Sequence, residues 1–322
     1  LRRMRRIGKG IGIFLALSTL GWFYFGHAST PVEPALKGAV RAEALESGGR
    51  TRSFLAYAPP NLPTRGGALV IVLHGTSMDG AQMRRWNGYA YDSLAEEHGF
   101  AVVYPDGVGG SWNDCRRAGA RQAKQENVDD VAFLRDVIEL MRRRHGVETT
   151  RVFLVGYSNG GQMAYRMLAE APDAVAGAAV TAAGYPAPET SICPAQAAGR
   201  PVLLAHGVAD RFAPYAGGEA WVFGARPGAV LAAPETAALF ARANGLPEKA
   251  ETHAIGDGVD EKVWRAEGRP PVVLTSLERG GHTIPQKAVR FPRILGPTIA
   301  DFDMPRAAID FFGLAKGLKL TR

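Results

Sequence analysis

Arg151-Val152-Phe153-Leu154-Val155-Gly156-Tyr157-Ser158-Asn159-Gly160, continued by Gly161 and Gln162-Met163-Ala164-Tyr165-Arg166-Met167-Leu168, runs an apolar β-branched stretch, a glycine-flanked turn and a helical stretch end to end. The pentapeptide Gly156 to Gly160 fits the pattern G-x-S-x-G, which alone is a weak signal. Its setting carries the information, because strand, sharp turn and helix in succession mount a serine above the edge of a sheet. Glycine on either side permits a turn that a β-carbon would obstruct. A helix that begins at the serine also favours negative charge developing there.

Working outward, short apolar runs at Ala68 to Leu73, Phe100 to Tyr104, Arg151 to Val155, Ala178 to Ala182, Pro201 to Ala205 and Val272 to Leu277 alternate with longer amphipathic segments. Continuous apolar strands are what a parallel sheet covered on both faces requires. Helices are expected at Gly80 to Glu97, Asp129 to Arg144, Asn159 to Glu170, Pro234 to Ala243 and Pro305 to Leu314. An acidic start, an apolar stripe and Arg142-Arg143-Arg144 at the end make the second of these the best defined. The fold class is therefore α/β, a doubly wound, mostly parallel sheet with helices on both faces, whose sites form at the carboxyl ends of strands. Gly217 to Gly228 and Gly256 to Pro271 are the least patterned stretches, and the first reads as a lid or pocket wall.

A serine hydroxyl needs a base to take its proton, and in the α/β-hydrolase order the acid and then the histidine follow the serine. Among seven histidines, His282 in Gly280-Gly281-His282-Thr283 follows the strand Val272 to Leu277 and is placed to reach over the sheet. His74 and His206 each close a strand and are expected to shape loops. Asp210 stands where the strand Pro201 to Ala205 exits, and would orient the imidazole and stabilise its protonated form. Asp106 also follows a strand but precedes the serine, and reads as a loop-bracing residue. The backbone N–H groups of Asn159, after the nucleophile, and of Thr76, in Leu73-His74-Gly75-Thr76, are the expected oxyanion donors. This chemistry calls for no metal and no organic cofactor.

Several stretches together resemble the extracellular polyhydroxybutyrate depolymerase and feruloyl esterase-like family, close to carbohydrate esterase family one. They are Val72-Leu73-His74-Gly75, Tyr104-Pro105-Asp106-Gly107, Ser111-Trp112-Asn113-Asp114, Gly156 to Gly161, His206-Gly207 through Asp210, Pro214-Tyr215-Ala216-Gly217-Gly218 and Gly280-Gly281-His282-Thr283. The resemblance spans about residues 50 to 313. It implies an α/β-hydrolase fold, a Ser158, Asp210 and His282 triad, and cleavage of hydroxyalkanoate, feruloyl or acetyl esters. It also implies an acyl pocket bordered by Trp112 and Asn113, with Tyr157 and Ile284 beside the triad. Two positions depart from the family: Thr76 stands where relatives often carry Gly or Cys, and Ile284 replaces a tryptophan. With no serine/threonine-rich linker or extra substrate-binding domain in view, soluble short-chain esters fit better than insoluble polymer.

Of 322 residues, 46% are hydrophobic and 21% charged, a composition for one large core. The formal charge of +7 is concentrated at one end: without residues 1 to 28, 33 basic side chains face 31 acidic ones. A body so nearly neutral, with no basic stripe interleaved with aromatics, is read as binding no nucleic acid. Residues 1–28 carry five basic side chains, an apolar run from Gly10 to Phe25 and then Gly26-His27-Ala28, the pattern of a signal peptide or N-terminal anchor. Residues 29–50 are read as a linker and 51–322 as the catalytic domain of a secreted or periplasmic protein, which meets a membrane only through an uncleaved leader. Cys115 and Cys193 form one disulfide or remain two buried thiols; their spacing fits no zinc or redox motif. Two rival readings are a serine peptidase of the same fold and a non-catalytic binding module. The expected partner is a small or oligomeric ester, and oligomeric state is not legible.

Overall fold

The computed structural model describes residues 21, 24–193, 199–222 and 224–316. Most of the expected leader, residues 1–20 and 22–23, lies outside the described residues. Among the described residues no helix is long and apolar enough to cross a membrane.

Strand β3 (Gly67–Leu73) is buried over its whole length, and its alternating side chains serve two cores. Leu69, Ile71 and Leu73 enter one; Ala68, Val70 and Val72 enter the other. Only a strand covered on both faces can be apolar at every position. Its parallel neighbours are β4 (Ala101–Pro105) and β5 (Val147–Tyr157). Beyond β5 the parallel run continues through β6 (Gly177–Thr181), β7 (Val202–Gly207) and β12 (Val272–Leu277). These six are the strands expected from the apolar runs.

The helices Asp130–His145, Asn159–Glu170 and Ala233–Ala243 pack on the face of Leu69. Gly80–Trp86, Ala90–His98 and Met304–Phe311 supply Met83, Leu94 and Ile309 to the face of Val70. Asp129 caps the first of these helices, its side chain accepting from Ala132 N–H at 2.9 Å, as an N-cap aspartate should. The single helix expected over Gly80 to Glu97 is in fact two. Gly88 (φ +62°) and Tyr89 (φ +58°) leave the right-handed helical region between them, and a β-carbon on Gly88 would lie 2.4 Å from Ala288 Cβ.

Antiparallel strands extend the sheet at both ends, giving ten strands in all. On one side lie β2 (Arg50–Tyr57) and β1 (Val40–Ser47). On the other lie β11 (Val259–Trp264) and β10 (Glu251–Gly256). The segment read as a linker over residues 29–50 thus contains an edge strand, and much of Gly256 to Pro271 is a strand too. A short hairpin of β8 (Gly218–Glu219) and β9 (Ala229–Val230) stands apart from the main sheet.

Candidate active site

Ser158 sits where β5 ends and the helix Asn159–Glu170 begins, with φ +53° and ψ −116°. A non-glycine residue held there is strained, and such strain persists only where the surroundings enforce it. Here Ser158 N–H is held by the carbonyl of Thr181 at 2.9 Å. Close packing of the elbow dictates its glycines: a β-carbon on Gly160 would lie 2.2 Å from Leu73 O, and one on Gly156 would lie 2.5 Å from Gly160 O.

His282 Nε2 lies 2.8 Å from Ser158 Oγ, and His282 Nδ1 lies 2.7 Å from Asp210 Oδ2. Three residues separated by up to 124 positions are joined in one relay. The loop bearing His282 is fastened on both sides: its N–H donates to Leu295 O at 2.6 Å, and Tyr157 Oη donates to its carbonyl at 2.8 Å. The other carboxylate oxygen of Asp210 accepts from the backbone N–H groups of Phe212 and Ala213, at 2.8 and 2.9 Å. Burial by itself would raise the Asp210 carboxyl, but the charges and hydrogen bonds of His282 and His206 outweigh it and hold the group well below the usual carboxylate range.

Thr76, Tyr157, Ser158 and His282 line one cavity of about 490 Å³, whose wall is mostly apolar and includes Met78, Trp86 and Phe212. Gly21, Phe25 and Gly26 also contribute to it. A second cavity of about 190 Å³ is lined by Thr76, Trp112 and Asn159 together with several charged side chains. Thr76 and Val222 belong to both, so the segment read as a pocket wall, Gly217 to Gly228, borders the two cavities through Val222.

Ser158, Asp210 and His282, expected as a triad, are brought together. Thr76 and Asn159 flank the serine, one in the loop after β3 and one at the start of the helix. The Asn159 side chain also anchors the loop that carries Trp112, since its Oδ1 accepts from Trp112 N–H at 2.8 Å and its Nδ2 donates to Asp114 Oδ2 at 2.6 Å. His74 is a brace, as its position suggested. Its Nε2 accepts from Gly107 N–H at 2.9 Å and its carbonyl accepts from Trp112 Nε1 at 2.9 Å; burial holds it neutral by lowering its pKa. Asp106 braces as well, accepting from Gly80 N–H at 2.8 Å and Ser53 Oγ at 2.6 Å.

Two pocket assignments do not hold. Asn113 is buried, and its Nδ2 donates to Val128 O at 2.9 Å and Asn127 Oδ1 at 3.1 Å, so it fixes its own loop and lines neither cavity. Ile284 packs into the core with Tyr157 and Phe291 and also lies behind the wall. The sequence reading missed Met78, Trp86 and Phe212. Trp86, a large apolar side chain in the first turns of the helix expected after a strand-exit loop, was the one that position could have suggested. Cys115 and Cys193 are bridged, with sulfurs 1.98 Å apart.

Comparisons with known proteins agree with this architecture. A model of the dienelactone hydrolase family matches residues 69–220. A putative esterase, NocK, from Nocardia uniformis subsp. tsuyamanensis is 29% identical over 300 residues, covering 88% of this chain and 86% of that protein. Acetylxylan esterase A of Aspergillus oryzae is 30% identical over 133 residues, 41% of each chain. Poly(3-hydroxyalkanoate) depolymerase C of Paucimonas lemoignei is 28% identical over 129 residues, 40% of this chain and 30% of that one. Among solved structures, acetyl xylan esterase from Aspergillus awamori superposes with a TM-score of 0.59 at 17% identity, over 86% of this chain and all of that one. The fold is that of the α/β-hydrolases, the resemblance to the depolymerase and esterase family is borne out, and the chain is a carboxylic ester hydrolase of the serine esterase kind.

Proposed function

We propose that this chain is an exported hydrolase of soluble short-chain carboxylic esters (hydroxyalkanoate, feruloyl or acetyl) that works through an acyl-enzyme on Ser158. The observation that carries the reading is the unbroken relay from Ser158 Oγ to His282 Nε2 at 2.8 Å and from His282 Nδ1 to Asp210 at 2.7 Å, at the floor of an apolar cavity. His282 takes the serine proton as the hydroxyl attacks the ester carbonyl. The oxyanion forms at the start of the helix Asn159–Glu170, where the N–H groups of Thr76 and Asn159 and the helix dipole oppose its charge. His282 then passes its proton to the departing alcohol, and water, deprotonated by the same imidazole, releases the acid. Asp210 stays ionised throughout and steadies the imidazolium.

Support for export comes from the basic and apolar composition of residues 1–28 and from the Cys115–Cys193 bridge, which persists in an oxidising compartment. Names of relatives that specify acetylxylan and poly(3-hydroxyalkanoate) support the ester classes proposed. The test is hydrolysis of 4-nitrophenyl butyrate by the purified protein and by Ser158→Ala. The variant should fold and lose activity by about 10⁴-fold or more. A variant as active as the parent would overturn the assignment.

A further inference from the structure

The smaller cavity beside the catalytic serine is unlike the larger one in charge. Arg116, Arg121, Lys124 and Arg226 line it against a single carboxylate, Asp114. That carboxylate is already committed: it is buried, it is forked by the Arg116 guanidinium, and it accepts from Asn159 Nδ2 at 2.6 Å. Lys124 Nζ donates to the Asp114 backbone carbonyl at 2.5 Å and stands 4.0 Å from its carboxylate. With a side chain only 12% exposed, it is a cation held partly out of water. Arg121 and Arg226 have no ion-pair partner among the described residues. Glu126, close in sequence to Arg121 and Lys124, is taken by Arg50 at 2.8 Å.

A concave site with surplus guanidinium groups is built for an anion, because planar N–H forks match the oxygens of a carboxylate. Its place in the reaction follows from what it shares with the catalytic cavity. Thr76 and Asn159, the expected oxyanion donors, line it, whereas His282 lines only the larger cavity. The leaving alcohol has to be within reach of His282 Nε2 to receive its proton, so it occupies the larger, apolar cavity. The group that enters the cationic cavity is then on the acyl side of the scissile bond.

We infer that Arg121, Lys124 and Arg226 form a subsite for a carboxylate at the far end of the acyl group, so that the enzyme prefers half-esters of dicarboxylic acids over neutral esters of the same shape. The inference rests on the proposed esterase reading of Ser158. The step remains ordinary hydrolysis: the acyl–alcohol bond breaks as the acyl–Oγ bond forms, the alcohol takes the proton from His282, and water yields the free diacid.

The experiment compares two isosteric substrates, 4-nitrophenyl hydrogen glutarate and 4-nitrophenyl 5-methylhexanoate, and reads the ratio of their kcat/KM values. In the parent the ratio should favour the glutarate by about tenfold or more at low ionic strength, the size expected of one charge-assisted contact. It should fall towards unity between about 0.01 and 1 M salt as the charges are screened. Arg121→Glu combined with Arg226→Glu should invert the preference. Arg143→Glu, a charge reversal on an exposed helix face distant in sequence from the cavity, should leave the ratio where it was. A parent ratio at or below unity, or a preference that survives the double reversal, overturns the subsite. Hydrolysis of the neutral ester by Ser158→Ala would instead overturn the catalytic reading, so the two failures are distinguishable.

Discussion

At the scale of single residues the site depends on which nitrogen of His282 carries a proton. An ionised Asp210 accepts from Nδ1–H and so leaves Nε2 as the base facing Ser158, at the 2.7 and 2.8 Å separations found. Asp210→Asn should preserve the acceptor oxygen for the N–H groups of Phe212 and Ala213. It would turn an amide donor towards Nδ1, fix the proton on Nε2 and abolish the base; a fall of about 10⁴-fold in kcat on 4-nitrophenyl butyrate is expected. The same carboxyl links stability to pH. Its pKa is depressed on folding, so its contribution is complete above the unfolded value near 4 and is lost as pH falls below that towards the folded value. Urea unfolding should therefore show the gap between parent and Asp210→Asn shrinking as pH drops from about 5 to about 3. A gap that widened would contradict the assignment. That Ser158, Asp210 and His282 come together was legible in the sequence because strand-exit order constrains their positions strongly. Asn113 and Ile284 were misplaced because a loop residue one or two positions from a cavity-lining one can turn either way, and only its hydrogen bonds or its packing decide.

Among elements, the loop that carries Trp112 is fastened at several points. Asn113 N–H donates to Asp130 Oδ2 at 2.7 Å, while Asp130 Oδ1 binds Arg52 at 2.7 Å in a pair almost wholly hidden from solvent. The Arg52 guanidinium also lies 3.9 Å above the ring of Phe133. Asp130→Ala would strand the Arg52 charge and free the loop, and should cost about 3–5 kcal/mol in denaturant unfolding; an unchanged midpoint would show that the pair carries no stability. The disulfide fastens the loop from its other end, where Ile192 N–H meets Cys115 O at 2.8 Å and Arg117 N–H meets Thr190 O at 2.7 Å. Because it closes 78 residues, replacing both cysteines by serine should cost about 4.5 kcal/mol by loop entropy. A melting temperature unmoved by that change, or by reductant, would count against a structural role. The outermost strands, β1 and β10, escaped notice for a physical reason. β10 is exposed at every position and β1 carries charges between its apolar residues, which keeps sheet edges from pairing with other chains but erases the continuous apolar run that revealed the centre.

The whole molecule is a two-faced sheet whose carboxyl ends support the reacting groups, and that much follows from alternation of apolar runs with amphipathic segments. What alternation could not reveal is how the chain ahead of the sheet lies. Gly21, Phe25 and Gly26 form part of the catalytic cavity wall, and Tyr24 sits under the Arg293 guanidinium at 3.9 Å. Ser29, by contrast, is tied to the body by two hydrogen bonds with Arg290, at 2.9 and 2.7 Å. A chain that starts at Ser29 keeps that tie and loses the part of the wall formed by Gly21, Phe25 and Gly26, so removal of residues 1–28 should open the larger cavity without loosening the fold. Esters of small alcohols would scarcely register the change, since they reach Ser158 with or without residues 1–28. Esters of larger alcohols would, because Phe25 lines the same cavity as Phe212 and Ile294. The expected outcome is a several-fold lower KM for octyl acetate in the shortened chain, with KM for ethyl acetate and the unfolding midpoint both unchanged. Equal octyl acetate KM values in the two forms would mean that residues 1–28 do not restrict the cavity, whereas a lowered midpoint would mean that they belong to the folded body.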